Sequence, residues 1–352
     1  MRFLAVTSII LGALAALPAA DPPARSLPPT LVTHEKGTVL GEAADALAKQ
    51  SGVPITVAPA VLKARCDARF KGVPFWDGLQ QSADAAGARI ALANGGRKVE
   101  LQPRGGSREV AATSGAFRVV AQSVTGRALL DQGVTVHDVA LLVHWEPRVR
   151  VYRIDTTPSI RSVTDTTGAK ITADGGATKA LPANATAEMP VRLNGLTRKS
   201  EQVATLRGEF EATAADRLLS FAFAAPGGKL PAAQKEAEVS AELKRVEKDD
   251  DLWEVEIEVT YPKGQPVFES FQEEWWLRDN RLQLVSNAGK AVTISDYEVT
   301  SKSPLRVTHR YKENAGTGFS NPTAPGWKLV YETPSPLAEV KVPFELKGIP
   351  LP

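Results

Sequence analysis

The sequence predicts a multidomain, mostly β chain: a small α+β domain of βαββαββ order at residues 31–103, then two tandem immunoglobulin-like β-sandwiches at residues 115–230 and 235–349. Three observations predict it. From Trp253 to Tyr261 apolar and polar residues alternate without a fault, the period of a strand with one buried face. Short runs of this kind recur through the later chain at roughly 8–12-residue spacing, the pattern of a sandwich or barrel. Two stripes of helical period both lie before Pro103.

The amino end reads as a processing segment. Arg2 supplies the charge, Phe3 to Leu17 the apolar run, and Ala16 to Ala20 the small residues of a cleavage region, so residues 1–20 are expected to be a secretory signal peptide. No later run approaches the roughly 18 apolar residues of a membrane span, and the mature chain is expected to be exported, to the periplasm or cell envelope. Residues 21–30 (DPPARSLPPT) form a Pro-rich linker. Length and balance agree with this picture. A chain of 352 residues implies two or three domains. Its net charge of +2, with scattered Lys and Arg, gives no nucleic-acid surface.

In the α+β part, Leu40, Ala43, Ala44, Leu47 and Ala48 share one helical stripe that stops at Gly52, a residue suited to the left-handed position after a helix. Val53–Val57 and Cys66–Phe70 read as strands. Pro74 opens a second helix, where a missing N–H costs nothing, and Phe75, Leu79, Ala83 and Ala86 form its buried stripe up to Gly87. Ile90–Leu92 and Val99–Leu101 pair across the Asn94-Gly95-Gly96 turn. The single cysteine, Cys66, excludes an internal disulfide and points inward as a small apolar residue.

These residues carry a resemblance. LGEAADALAKQSGVPITV followed by FKGVPFWDGLQQSADAAGARIAL resembles the secretin and TonB short N-terminal (STN) domain, over residues 31–103. The resemblance implies a protein-contact module of the Gram-negative envelope. The ring or barrel that accompanies this module elsewhere is absent from the sequence. The whole layout, down to the closing PFELKGIPLP, resembles exported proteins of planctomycete-like bacteria and carries over no activity.

Residues 104–114 read as a polar linker. The first sandwich is expected to run through Phe117–Val124, Val139–Trp145, Ile160–Lys170, Met189–Leu193, Val203–Phe210 and Leu219–Phe223. The second begins with a hairpin, Val239–Leu243 and Trp253–Tyr261, turned by the charged run Glu247–Asp251. It continues through Leu282–Lys290, Val292–Tyr297, Leu305–Tyr311, Trp327–Tyr331 and Val340–Leu346. In both, the second strand closes on an aromatic residue beside a proline (Trp145 before Glu146-Pro147, Tyr261 before Pro262), a divergent repeat, and one larger sandwich is the alternative. Pro343 places the last strand at a sheet edge, because proline cannot donate to a ladder.

Few residues suggest chemistry. The four histidines, His34, His137, His144 and His309, show no HExxH spacing, and one cysteine cannot build a thiolate zinc site. His144 lies opposite Val143 and Trp145 and reads as solvated. His137-Asp138 has no G-x-S-x-G nucleophile to serve. Asp249, Asp250 and Asp251 are consecutive rather than spaced as calcium ligands, and read as a hairpin tip. Gly105-Gly106 and Gly227-Gly228 lack the flanking context of a phosphate loop and read as linkers. No catalytic, metal or cofactor residue is assigned, and no cofactor is implied.

Aromatics are the candidate contact residues. Trp275 and Trp276 are neighbours, so in an extended segment they point to opposite faces, and an exposed one would hold a sugar ring or a protein hot spot. Filling the core or covering an edge is the plainer reading. Trp76 sits off the stripe of Phe75 and faces a neighbouring domain or a partner. The function expected is a non-enzymatic envelope protein, an STN-like contact module on β-sandwich spacers with an envelope protein as partner. The alternatives are a glycan or cell-wall-binding sandwich, and an accessory part of a secretion or TonB-dependent system.

Overall fold

A computed structural model describes residues 27–352 apart from 107, 132, 169, 177, 197–199, 225–229, 231, 267–275 and 315–317. The expected signal peptide, Trp275 and most of the expected boundary between the sandwiches lie outside the described residues. The chain is mostly β, 60% strand against 9% helix, in several sheets, as the alternating sequence implies. No helix among the described residues is long and apolar enough to cross a membrane.

The N-terminal part holds β1 (Leu31–His34), β2 (Thr38–Val39), α1 (Leu40–Ser51), β3 (Ile55–Val57), β4 (Arg65–Cys66), β5 (Phe70–Pro74), α2 (Phe75–Ala85), β6 (Ala88–Ala93) and β7 (Lys98–Pro103). The helices form where the stripes are. Leu40, Ala43, Ala44 and Leu47 are buried, and Gly52 ends α1 in the left-handed region at φ 70° with its N–H on the Ala48 carbonyl. Phe75, Leu79 and Ala83 bury the stripe of α2. Both helices pack on small sheets, of which β3-β7-β6 is the largest, with β3 and β7 parallel and β6 and β7 antiparallel. Cys66 is buried and reduced within this part.

A second part comprises β8 (Ala111–Ser114), β9 (Phe117–Leu129), β10 (Val134–Trp145), β11 (Arg150–Asp155), β12 (Ser159–Asp165), β13 (Lys170–Asp174), β14 (Lys179–Ala180), β15 (Thr186–Asn194) and β16 (Gln202–Ala215). They join in the order β14-β11-β16-β12-β13-β15-β10-β9-β8. The sheet wraps one core, in which Val139, Leu141 and Val143 of β10 meet Leu206 and Phe210 of β16.

The third part holds β17 (Leu218–Ala224), β18 (Ala232–Glu236), β19 (Val239–Asp249), β20 (Leu252–Thr260), β21 (Arg281–Ser286), β22 (Ala291–Ile294), β23 (Asp296–Lys302), β24 (Leu305–Lys312) and β25 (Trp327–Pro334). Its sheets, β17-β25-β21-β22 and β18-β19-β20-β24-β23, share a separate core. The hairpin read from the sequence is present, with Leu243 opposite Ile257 and a tight turn at Asp250 (φ 54°) and Asp251. Trp253, Val255, Ile257 and Val259 are its buried face.

Two strands exchange the cores expected for them. Leu219, Phe221 and Phe223 of β17, expected in the first sandwich, pair with β25 and enter the later core. The last strand, β26 (Ala338–Pro350), expected in the second sandwich, instead pairs with β16 from Gln202↔Pro350 to Ala214↔Ala338. Its apolar face of Val340, Val342, Phe344 and Leu346 completes the earlier core. Gly208 makes room for it, since a Cβ there would come within 2.8 Å of Phe344 and 2.9 Å of the Ser159 carbonyl oxygen. β26 hydrogen-bonds to β16 alone, so Pro343 lies at a sheet edge.

The two crossings run side by side. The Ser335 N–H donates to the Arg217 carbonyl at 2.9 Å, and the Asp216 N–H donates to the Ser335 hydroxyl at 3.0 Å. The pairs β16/β26 and β17/β25 therefore form one antiparallel ribbon through both cores, and residues 218–334 are inserted between two strands of the earlier core.

Candidate binding clefts at the junctions

The N-terminal part is fastened to the β part by groups drawn from both. In α2, Phe75 and Trp76 are about 100° apart around the helix axis. Phe75 therefore points into its own core, while Trp76, at the rim of the same core, reaches across to the start of β9 and to His144 of β10. Trp76 is fully buried there, and its indole N–H donates to the Ala116 carbonyl at 3.1 Å, which also accepts from the Glu146 N–H at 2.9 Å. The neighbour that Trp76 meets is thus in the same chain, which leaves no exposed ring to offer a partner.

Arg148 ties the entering segment to the β part. It donates to Glu146 at 2.7 Å, to the Thr30 hydroxyl at 2.8 Å and to the Pro28 carbonyl at 2.5 Å, and it also pairs with Asp216 beside the ribbon crossing. Glu146, 1% exposed, accepts from the Thr30 hydroxyl at 2.6 Å and the Thr30 N–H at 2.9 Å. One buried carboxylate and one guanidinium so satisfy each other while bridging three stretches of chain.

A buried arginine lies under α2. The Arg118 Nη2 donates to Gln80 at 2.7 Å and to Glu109 at 3.0 Å, but its Nε and Nη1 have no partner. Burial pulls this guanidinium below its usual pKa, and Glu109 opposes the shift. His144 lies beside it, 4% exposed, tilted against Trp76 at 6.1 Å, with both ring nitrogens unpartnered. Burial, then the Arg118 charge, pushes this imidazole down to about 3.

The expectation of a solvated His144 is therefore corrected. At its His144 end both faces of β10 are covered, one by the core and the other by Trp76 of the N-terminal part. The sequence held the signal, because Ala140 and Leu142 make the face of His144 apolar as well. His144 and Glu109 border a groove of about 520 Å³ between β6 and the sheet of β9 and β10.

The other cleft, about 350 Å³, opens where all three parts meet. Its walls come from the β6–β7 turn (Asn94, Arg97), the start of β11 (Arg150, Tyr152), the loop at Asn184 and the segment Arg278–Arg281. The turn is seated by the Ala185 N–H on the Gly95 carbonyl at 2.7 Å. Across the cleft the Tyr152 hydroxyl donates to Asp279 at 2.7 Å, and the Arg281 guanidinium donates to the same carboxylate at 2.9 Å. Burial, with Asp279 beside it, holds the Tyr152 phenol well above its ordinary pKa.

The remaining expected contact residue is Trp276. It is half-buried against Tyr261 at 5.5 Å and covers the small cluster of Tyr152, Ala215 and Leu337 between the two β cores. It thus acts as a junction filler, and its indole N–H has no partner. His137 and Asp138 lie on β10, where Asp138 is occupied by Arg127 and Arg192. His309 is fully buried between Tyr297 and Tyr331. Among the described residues no three His, Cys, Asp or Glu side chains come together as a metal-holding group. The arginine clefts were missed in the sequence because their members lie up to 184 positions apart (Arg97 to Arg281).

Compared with protein-family models, curated proteins and solved structures, the chain gives no match.

Proposed function

We propose that the protein is a non-enzymatic, exported envelope protein that works by protein–protein contact. In this reading the unit at residues 31–103 is a contact module of the short N-terminal type. The β units, sandwiches of immunoglobulin type threaded by one ribbon, are the spacer that displays it. The observation that carries the reading is the fastening of the module. Trp76 and Arg118 are buried in joining α2 to the β part, and Glu146 with the half-buried Arg148 holds Pro28 and Thr30, where the chain enters the module. The open apolar side chains agree. Among the described residues, Leu31 (60% exposed) and Leu62 (43%) lie on the module, Leu130 (90%) at the tip of the β9–β10 hairpin and Tyr297 (37%) on β23. Isolated exposed leucines are common, so their use has to be tested directly.

A photo-cross-linking side chain placed at Leu62, and separately at Leu31, of the full chain in native envelopes should trap one and the same envelope protein. The same side chain at Lys235, on the third part, should not. Adduct-free monomer from all three positions would contradict the contact role.

A further inference from the structure

The cleft at the meeting of the three parts holds two arginines without an ion-pair partner among the described residues. Four arginines line it, Arg97, Arg150, Arg278 and Arg281, against one carboxylate among the described lining residues, Asp279. That carboxylate is already held by Arg281 and by the Tyr152 hydroxyl. Arg97 is exposed and makes no ion pair among the described residues. Arg150 makes none either, and its Nε is buried without an acceptor. A buried donor left without an acceptor is costly, so such groups call for an explanation. No structural role emerges for Arg97 or Arg150, whereas Arg148 nearby satisfies its donors within the chain.

We infer that this cleft binds a small organic anion, a molecule about the size of one sugar ring that carries a carboxylate or a phosphate ester. Arg150 and Arg97 supply the charge, with the planar fork that suits both acidic groups. Asn94 and Asn184 supply neutral polar contacts, and Leu181 and Pro182 an apolar wall. A volume of about 350 Å³ falls in the range of small-molecule sites, about 300–1,000 Å³, and suits a compact ligand better than an extended chain. The inference is independent of the contact-module reading, since the cleft lies at the junction and does not involve Leu31 or Leu62.

The test is calorimetric titration of the full exported chain with glucose 6-phosphate and with glucuronate, with glucose as the neutral control. At least one anion should bind while glucose does not, and binding should weaken as salt rises. Whichever of the two binds tighter identifies the acidic group. The R150Q variant should lose about tenfold or more in affinity, as expected for a hydrogen bond to a charged group. The R97Q variant, altered at an exposed position that leaves the fold intact, should also bind more weakly. Absence of binding by both anions up to about 10 mM, or equal binding by wild type, R97Q and R150Q, would overturn the inference.

Discussion

Truncation after Leu337 is expected to unfold the earlier β core while leaving the inserted one folded. The strand removed, β26, supplies Val340, Val342, Phe344, Leu346 and Ile349 to that core, all of them buried. At roughly 1.5–3 kcal/mol for each large side chain, their burial is worth on the order of 10 kcal/mol as an upper bound. A whole domain is stable by only about 5–15 kcal/mol, so the loss is of the same size as the stability. The truncation also opens the edge of β16 along its full length. The inserted core takes no residue from β26 and keeps its own strands. Calorimetry should therefore show one cooperative transition lost and one kept, with tryptic cleavage appearing first in residues 115–215. An unchanged thermogram would show that β26 is dispensable and the ribbon is not structural.

Acidification should destabilise the protein well before its carboxylates titrate. Burial and the Arg118 charge hold His144 down to about 3, and burial holds His309 down to about 4. The Ile294 backbone offsets part of the second shift but makes no well-formed hydrogen bond to that ring. An unfolded histidine binds its proton near pH 6.5. Between that value and the folded one, the unfolded chain therefore holds protons that the folded chain refuses. Stability then rises with pH across this window, and falls on acidification, by about 1.4 kcal/mol per pH unit per histidine. From neutrality to pH 5 the two together should cost about 4 kcal/mol. His137, also lowered by burial, acts in the same direction. Glu254 and Glu258, held below the ordinary carboxylate range mainly by Arg310 and Arg306, lie outside the window. Urea unfolding at pH 7.5 and 5 measures the slope. The H144L/H309L double variant should lose most of it, and an identical slope in that variant would assign the acid sensitivity to other groups.

How much of this was legible follows from what a sequence period can and cannot say. Alternation at Trp253–Tyr261 and the helical stripe ending at Gly52 each report on a segment's own faces, and both segments fold as read. Alternation does not say which core covers the apolar face. That is why β17 and β26, both read as strands, were assigned to the wrong partners. Their neighbours are set by a ribbon whose two halves are more than 100 residues apart, with Ala214 opposite Ala338. Leaving the stripe of Phe75 points Trp76 to a neighbouring domain or a partner, and its indole meets Ala116 of the same chain. Alternation with one wet side puts His144 in solvent, whereas Trp76 covers that side of the strand at His144. The arginine cleft could not be seen at all, since it exists only once the three parts meet.

A contact module works as a fixed display only when it is fastened, and hydrogen exchange reads that fastening directly. In the intact protein at neutral pH, the amides of α2 and of β10 should exchange together and slowly, because Trp76 is buried against His144 of β10 and Arg118, on the neighbouring β9, holds Gln80 of α2. Exchange of α2 at the rate of a loosely tethered helix, with β10 still protected, would mean that the N-terminal part moves freely on the β part, and would contradict the reading.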